Sequence, residues 1–134
     1  MGTEITTTGS KKIKTLKKQF NEKFPYLVLN LYASSMKPKY EKGEKIFSLS
    51  PDKRLSEVRE KVGDGSISIH GRKKVKNLEA EFDAVFGLYV QVCYRPKGWK
   101  PGESYKYTFG SSDDKSLSAL NREMKEKGAV RDIA

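Results

Sequence analysis

The sequence predicts an α+β protein of two tandem β-α-β-β-α repeats, with an antiparallel sheet or sheets covered by helices. Three observations lead there. Residues 9–32 (GSKKIKTLKKQFNEKFPYLVLNLY) return without a gap as residues 71–94 (GRKKVKNLEAEFDAVFGLYVQVCY), each position displaced by 62. Leu78, Phe82, Val85 and Phe86 fall at the spacing of one helical face, and Leu16, Phe20 and Phe24 repeat the stripe. Segments rich in β-branched and aromatic residues follow each stripe at 26–32 and 88–94, as strands would.

The elements can be taken in chain order, using the second copy where it is cleaner. Ser66-Ile67-Ser68-Ile69-His70 alternates polar and apolar, the signature of a half-buried strand. Gly71-Arg72-Lys73 is a turn and Lys74-Val75-Lys76 a short extended piece. Asn77, matched by Thr15 in the first copy, is then the helix cap, because both side chains accept hydrogen bonds from free first-turn amides. The helix stops at Gly87 in one copy and before Pro25 in the other. In the next strand Leu88, Val90, Val92 and Tyr94 form an apolar face opposed by Tyr89, Gln91, Cys93 and Arg95. The first copy breaks this pattern, since Leu27, Leu29 and Leu31 occupy the face that is polar in the second. Either that strand is covered on both sides or its leucines meet a partner.

A Pro/Gly/Lys-rich loop follows each strand, at 38–44 and 96–103, and a further strand is expected at 44–49 and 104–109. Ser50-Pro51-Asp52 and Ser112-Asp113-Asp114 supply the polar start of a last helix, with Leu55 and Val58, or Leu117 and Leu120, facing inward. Gly63-Asp64-Gly65 joins the copies, so the repeats span residues 1–63 and 64–134, packed as one globular unit. The tail after Gly128 is expected to fray.

Composition narrows the function classes. The chain has 134 residues, 36% apolar, a mean hydropathy of −0.71 and a formal net charge of +10. No apolar run approaches the roughly 20 residues of a membrane span, so no membrane partner is expected and a cytoplasmic location is the default reading. Cys93 is the only cysteine, which excludes an internal disulfide and leaves a zinc site short of ligands. His70 is the only histidine, and no nucleophile elbow, phosphate loop or paired-histidine motif accompanies it. The expectation is a non-catalytic binding protein, not an enzyme, without cofactor or metal.

The pattern Gly-x-Lys-x-Val-Lys-x-Leu-x-x-x-Phe-x-x-x-Phe-Gly, followed later by Asp-Lys-x-Leu-Ser, resembles a group of small, often duplicated bacterial proteins of uncharacterised function. The order of strand, basic turn, capped helix, two strands and the Asp114 to Leu120 segment resembles ubiquitin-like β-grasp domains, which implies a protein-interaction module; the diglycine tail of conjugated members is absent.

Two residue sets stand out as binding candidates. One is the repeated turn, with Lys11 and Lys12 in the first copy and Arg72, Lys73 and Lys74 in the second, where a glycine permits close approach and cations stand ready for phosphate. The alternative is that these lysines guard a sheet edge. The other is the loop pair, Lys39, Tyr40 and Lys42 with Arg95, Lys97, Trp99 and Lys100, where an aromatic among cations suits stacking on an unpaired base. Against this, the aromatic can fold back onto the sheet. A lysine-rich surface implies low-specificity binding of DNA or RNA as a polyanion. The competing reading is a protein partner or a homodimer at Leu27, Leu29 and Leu31, with the charge serving solubility.

Overall fold

A computed structural model of the chain describes residues 5–61, 66–103, 105–107 and 114–131. The linker at Gly63-Asp64-Gly65, half of the expected strand at 104–109 and Ser112-Asp113 of the polar helix start lie outside these residues. The architecture is mixed α/β with two antiparallel sheets. In order the elements are β1 (Ile5–Thr7), α1 (Ile13–Lys23), β2 (Val28–Ala33), α2 (Met36–Glu41), α3 (Leu55–Val58), β3 (Ile67–Ile69), α4 (Val75–Phe86), β4 (Leu88–Tyr94), β5 (Lys106–Tyr107) and α5 (Leu117–Glu126).

Both sheets are built between the two halves of the chain. β1 pairs with β3 in a two-stranded sheet, and β2 pairs with β4, which carries β5 on its other side. The centre of each ladder joins residues at corresponding places in the halves: Thr6 faces Ser68, and Asn30 faces Gln91. Every strand of the first half finds its ladder partner in the second. The core follows the same logic, drawing Leu16, Phe20, Leu29 and Leu55 from one half and Leu78, Phe82, Val90 and Leu117 from the other. Two ring pairs, Phe20–Phe24 at 5.1 Å from α1 and the residue after it and Phe82–Phe86 at 5.8 Å from α4, fill it. Burying each such side chain contributes about 1.5–3 kcal/mol.

The displaced leucine face has a simple cause. Along the helices, corresponding buried residues stand 62 apart, Leu16 with Leu78 and Phe20 with Phe82. Along the strands they stand 61 apart: Leu27 with Leu88, Leu29 with Val90, Leu31 with Val92. Two residues, Pro25 and Tyr26, separate Phe24 from Leu27, whereas Gly87 alone separates Phe86 from Leu88. One extra residue reverses which side chains of a strand face the core. Leu27, Leu29 and Leu31 are therefore core residues, at most 1% exposed, and are not an exposed partner face. The opposite face of β2 is covered as well, with Val28, Asn30 and Tyr32 all buried.

Helix starts depart from the local expectation. α1 and α4 begin at Ile13 and Val75, two residues before the expected caps Thr15 and Asn77, and their N-cap residues Lys12 and Lys74 make no side-chain cap. Their first donors are met by backbone from a distant arm. Lys12 bridges Arg54 and Lys74 bridges Ser116, each antiparallel. The Ile13 N–H donates to the Lys53 carbonyl (2.9 Å) and the Leu55 N–H to that of Lys11 (3.0 Å). In the other half Val75 donates to Lys115 (3.1 Å) and Leu117 to Lys73 (2.9 Å). Paired helix starts thus satisfy part of each other's orphan amides, and side chains add to this only at α3 and α5, where the Arg54 N–H donates to Glu57 Oε1 (2.9 Å) and the Ala119 N–H to Ser116 Oγ (3.2 Å).

The halves also clasp each other at the helix-to-strand junctions. Glu60 and Lys61 N–H groups both donate to the Phe86 carbonyl, at 2.8 and 3.1 Å, while the Tyr26 N–H donates to Asn121 Oδ1 at 2.9 Å. Gly87 adopts φ 64°, ψ 34°, which ends α4 and lets Lys61 approach closely.

Two further expectations fail. No strand forms at 44–49; α2 stands where a loop was expected, Gly43 turns the chain at φ 81°, and a single ladder-like bond remains, from the Leu49 N–H to the Leu31 carbonyl at 2.8 Å. Of the tail after Gly128, residues 129–131 are described and are held, the Val130 N–H donating to the Arg95 carbonyl at 2.8 Å, while 132–134 lie outside the described residues.

Candidate functional site

The repeated glycine-lysine turns are filled by the chain itself. The carbonyls of Gly9 and Gly71 accept the Ser56 and Ser118 N–H groups, at 2.8 and 3.0 Å, in the first turns of α3 and α5. A Cβ at Gly71 would lie 2.1 Å from Ser118 Oγ, so the close approach that glycine permits is to a helix of the same chain rather than to a phosphate.

Lys11 and Lys73 are likewise engaged. Lys11 Nζ donates to the Thr6 carbonyl (2.6 Å) and to Gln19 Oε1 (2.5 Å). Lys73 Nζ donates to the Ser68 carbonyl and pairs with Glu81 at 2.6 Å, its side chain only 8% exposed. Thr6 and Ser68 face each other across the two-stranded sheet, so each lysine holds down a strand backbone there. These two lysines are pins, and sheet-edge protection describes them better than phosphate capture. Arg72 and Lys74 are exposed and Lys12 is half-buried, but β1 and β3 run antiparallel, which puts the two turns at opposite ends of their sheet.

The difference between the pins is instructive. Lys73 has a carboxylate, whereas Lys11 meets a neutral amide, and burial lowers the Lys11 pKa from its ordinary value. Gln19→Glu should therefore stabilise the fold by about 0.5–1 kcal/mol, an increment typical of a partly exposed ion pair. Urea unfolding of the variant beside wild type measures it, and a lower midpoint would count against the pin.

The second residue set divides in the same way. Trp99 stacks on Tyr105 at 5.5 Å with planes 17° apart, and its Nε1 donates to the Glu103 carbonyl at 3.0 Å. The Arg95 guanidinium, on a residue only 6% exposed, lies 5.3 Å from the Trp99 ring and 5.5 Å from that of Tyr105. Trp99 and Arg95 are thus largely committed to each other and to Tyr105. Tyr40 is carried by α2 and packs on Tyr89 at 6.5 Å, while Tyr89 meets Tyr32 at 5.6 Å. Tyr89 lies in β4 and Arg95 directly follows its end, six residues on, so the two aromatic groups are separated by about 20 Å of extended chain.

Between them the sheet face is closed and polar. Lys17 Nζ donates to Asn30 Oδ1 at 3.2 Å, and Asn30 Nδ2 to Cys93 Sγ at 3.5 Å. Burial lowers the Lys17 pKa and pushes the Cys93 thiol up to about 12, which makes Cys93 a poor nucleophile at neutral pH. Lys17 was not a sequence candidate; its helical position flanking Leu16 and Phe20 carried no sign that it bridges to a strand.

Cations differ sharply in their surroundings. Lys14, Lys61, Lys73, Lys76, Lys115 and Lys127 are each within 4 Å of a carboxylate. Among the described residues, Lys39, Lys42, Lys97 and Lys100 make no ion pair, and neither do Lys37 and Lys45. Lys37, Lys39, Lys42 and Lys45 stand after β2 and Lys97 and Lys100 after β4, at opposite ends of the antiparallel pair. Phe47, 66% exposed with the Lys45 ammonium 5.5 Å from its ring, is the residue sequence reasoning missed. It falls within the expected strand 44–49, whose pattern carries no sign that the ring stays in water.

A cleft of about 300 Å³ beside α4 is lined by Lys37, Lys76, Glu79, Asp83 and Tyr89, a mixture of signs that selects no single ligand charge. No cluster of three potential metal ligands occurs among the described residues, and none of their helices is long and apolar enough to cross a membrane. Comparisons with protein-family models, curated proteins and solved structures return no match to this chain.

Proposed function

We propose that this protein binds polyanions, nucleic acid foremost, with low sequence specificity and through lysines outside the long helices. The observation that carries the reading is the clustering of lysines that make no ion pair among the described residues, Lys37, Lys39, Lys42 and Lys45 after β2 and Lys97 and Lys100 after β4, at opposite ends of the β2–β4 pair. Lysine presents a compact point charge suited to phosphate oxygens but not to bidentate reading of bases. Binding would release counterions, and its strength would fall steeply with salt. Lys11, Lys73 and Arg95 support the scaffold in this reading. The matching order of β1, α1, β2 and α3 with β3, α4, β4 and α5 is best explained by duplication of a β-α-β-β-α unit, the first copy having α2 in its loop and no strand at 44–49.

The test is a titration of labelled single- and double-stranded DNA and RNA at two salt concentrations. Each phosphate contact should contribute about 0.7–0.9 to the slope of log affinity against log salt. Lys39→Glu with Lys42→Glu, and separately Lys97→Glu with Lys100→Glu, should each weaken binding and lower that slope. Absence of binding at low salt would dismiss the reading.

A further inference from the structure

We propose that Phe47 is a stacking platform for an unpaired nucleobase, which gives the first half of the chain a preference for single-stranded nucleic acid; this rests on the polyanion reading above. Among the described residues Phe47 is the one large hydrophobic side chain that is exposed. Leaving a phenylalanine in water forgoes about 1.5–3 kcal/mol of burial, and this chain buries Phe20, Phe24, Phe82 and Phe86 almost completely.

The segment that carries Phe47 is held at both ends. On one side the Gly43 N–H donates to the Tyr40 carbonyl and the Glu44 N–H to that of Lys39, both at 2.9 Å. On the other, the Leu49 N–H is fixed to the Leu31 carbonyl of β2, and its side chain packs against the core. A ring presented by an anchored loop loses less conformational freedom on binding than one on a free tail.

Charge complementarity names the occupant. Lys45 sits over the Phe47 ring, and Lys37, Lys39 and Lys42 precede it within the same short stretch. Glu41 and Glu44 offset part of that charge and leave the segment net positive. An aromatic face beside unpaired ammonium groups matches a base with its flanking phosphates. Duplex bases already stack on one another and offer no free face, so the preference is for single strands.

Phe47→Ala in the full chain isolates the contact, because a residue outside the core should leave the unfolding midpoint unchanged. Its dissociation constant for oligo(dT) should rise about 5- to 100-fold, the range of one lost base stack, while affinity for a duplex of equal length stays the same. Phe47→Trp should restore oligo(dT) binding. Wild-type binding to both ligands with no effect of Phe47→Ala overturns the stacking assignment and leaves the polyanion reading standing. An equal loss of single-strand and duplex binding also overturns it. If wild type binds neither ligand at low salt, both proposals fall.

Discussion

Leu29→Ala is expected to lower the unfolding free energy by about 2–5 kcal/mol, the range for truncating a fully buried leucine. Leu29 is 1% exposed, stands opposite Val92 in the β2–β4 ladder, and belongs to the core shared by the two halves. The loss has two parts: apolar area returned to water, and a cavity that strands paired across the halves cannot readily collapse. Since a small domain is stable by only about 5–15 kcal/mol, such a loss removes a large share of the total. Leu29→Asp should prevent folding, because a carboxylate would be buried at the junction without a partner. Urea denaturation followed by far-ultraviolet circular dichroism and Trp99 emission measures the first variant. A partner surface would behave in the opposite way, with Leu29→Asp folding normally and losing only association. That result would return the leucines to the surface.

Gly87→Ala is the second large effect, with an expected cost of about 2–4 kcal/mol from left-handed strain and steric crowding together. Gly87 ends α4 at φ 64°, and an added Cβ would meet Lys61 Cγ at 2.9 Å, the Lys61 backbone nitrogen at 3.1 Å and Glu60 Cβ at 3.2 Å. Lys61 Cγ can swing aside, but the Lys61 nitrogen is held by its bond to the Phe86 carbonyl. Displacing it would loosen the clasp between the halves. Gly43→Ala is the internal control, since Gly43 has φ 81° and nothing within 4 Å of the added Cβ. That variant should show only the strain of a non-glycine residue at positive φ, about 1–2 kcal/mol. Equal losses at the two glycines would mean that the contact with Lys61 has no energetic weight.

Both sites show why part of the fold was legible and part was not. The stop at Gly87 is a local signal and was readable, as were the stripe of Leu78, Phe82 and Phe86 and the strand of β4, although Gln91 and Cys93 on its polar face are buried as well. The role of Leu29 was ambiguous because the extra residue at Pro25-Tyr26 reverses which side of β2 faces inward. An ungapped repeat hides such a shift, since identities such as Val28 with Val90 persist although the two side chains point to opposite faces. The same blindness affected the candidate site. Lysines at 11, 39, 73 and 97 look alike in sequence, yet two are hydrogen-bonded to strand carbonyls and two stand unpaired.

By itself the sequence determined the repeated helices, their inward phenylalanines, the second-copy strand and the excess of positive charge. These follow from periodicity and from local backbone preferences of glycine and proline, which act within a few residues. Only the tertiary structure decided how the helix starts are capped, which lysines are engaged, where the leucine face lies and that Phe47 is left in water. Each of those depends on backbone groups or side chains far apart in the chain, such as Lys12 with Arg54 and Leu31 with Leu49. A hydrogen bond between distant segments satisfies a donor without leaving a mark on the residues beside it, so no local pattern can announce it.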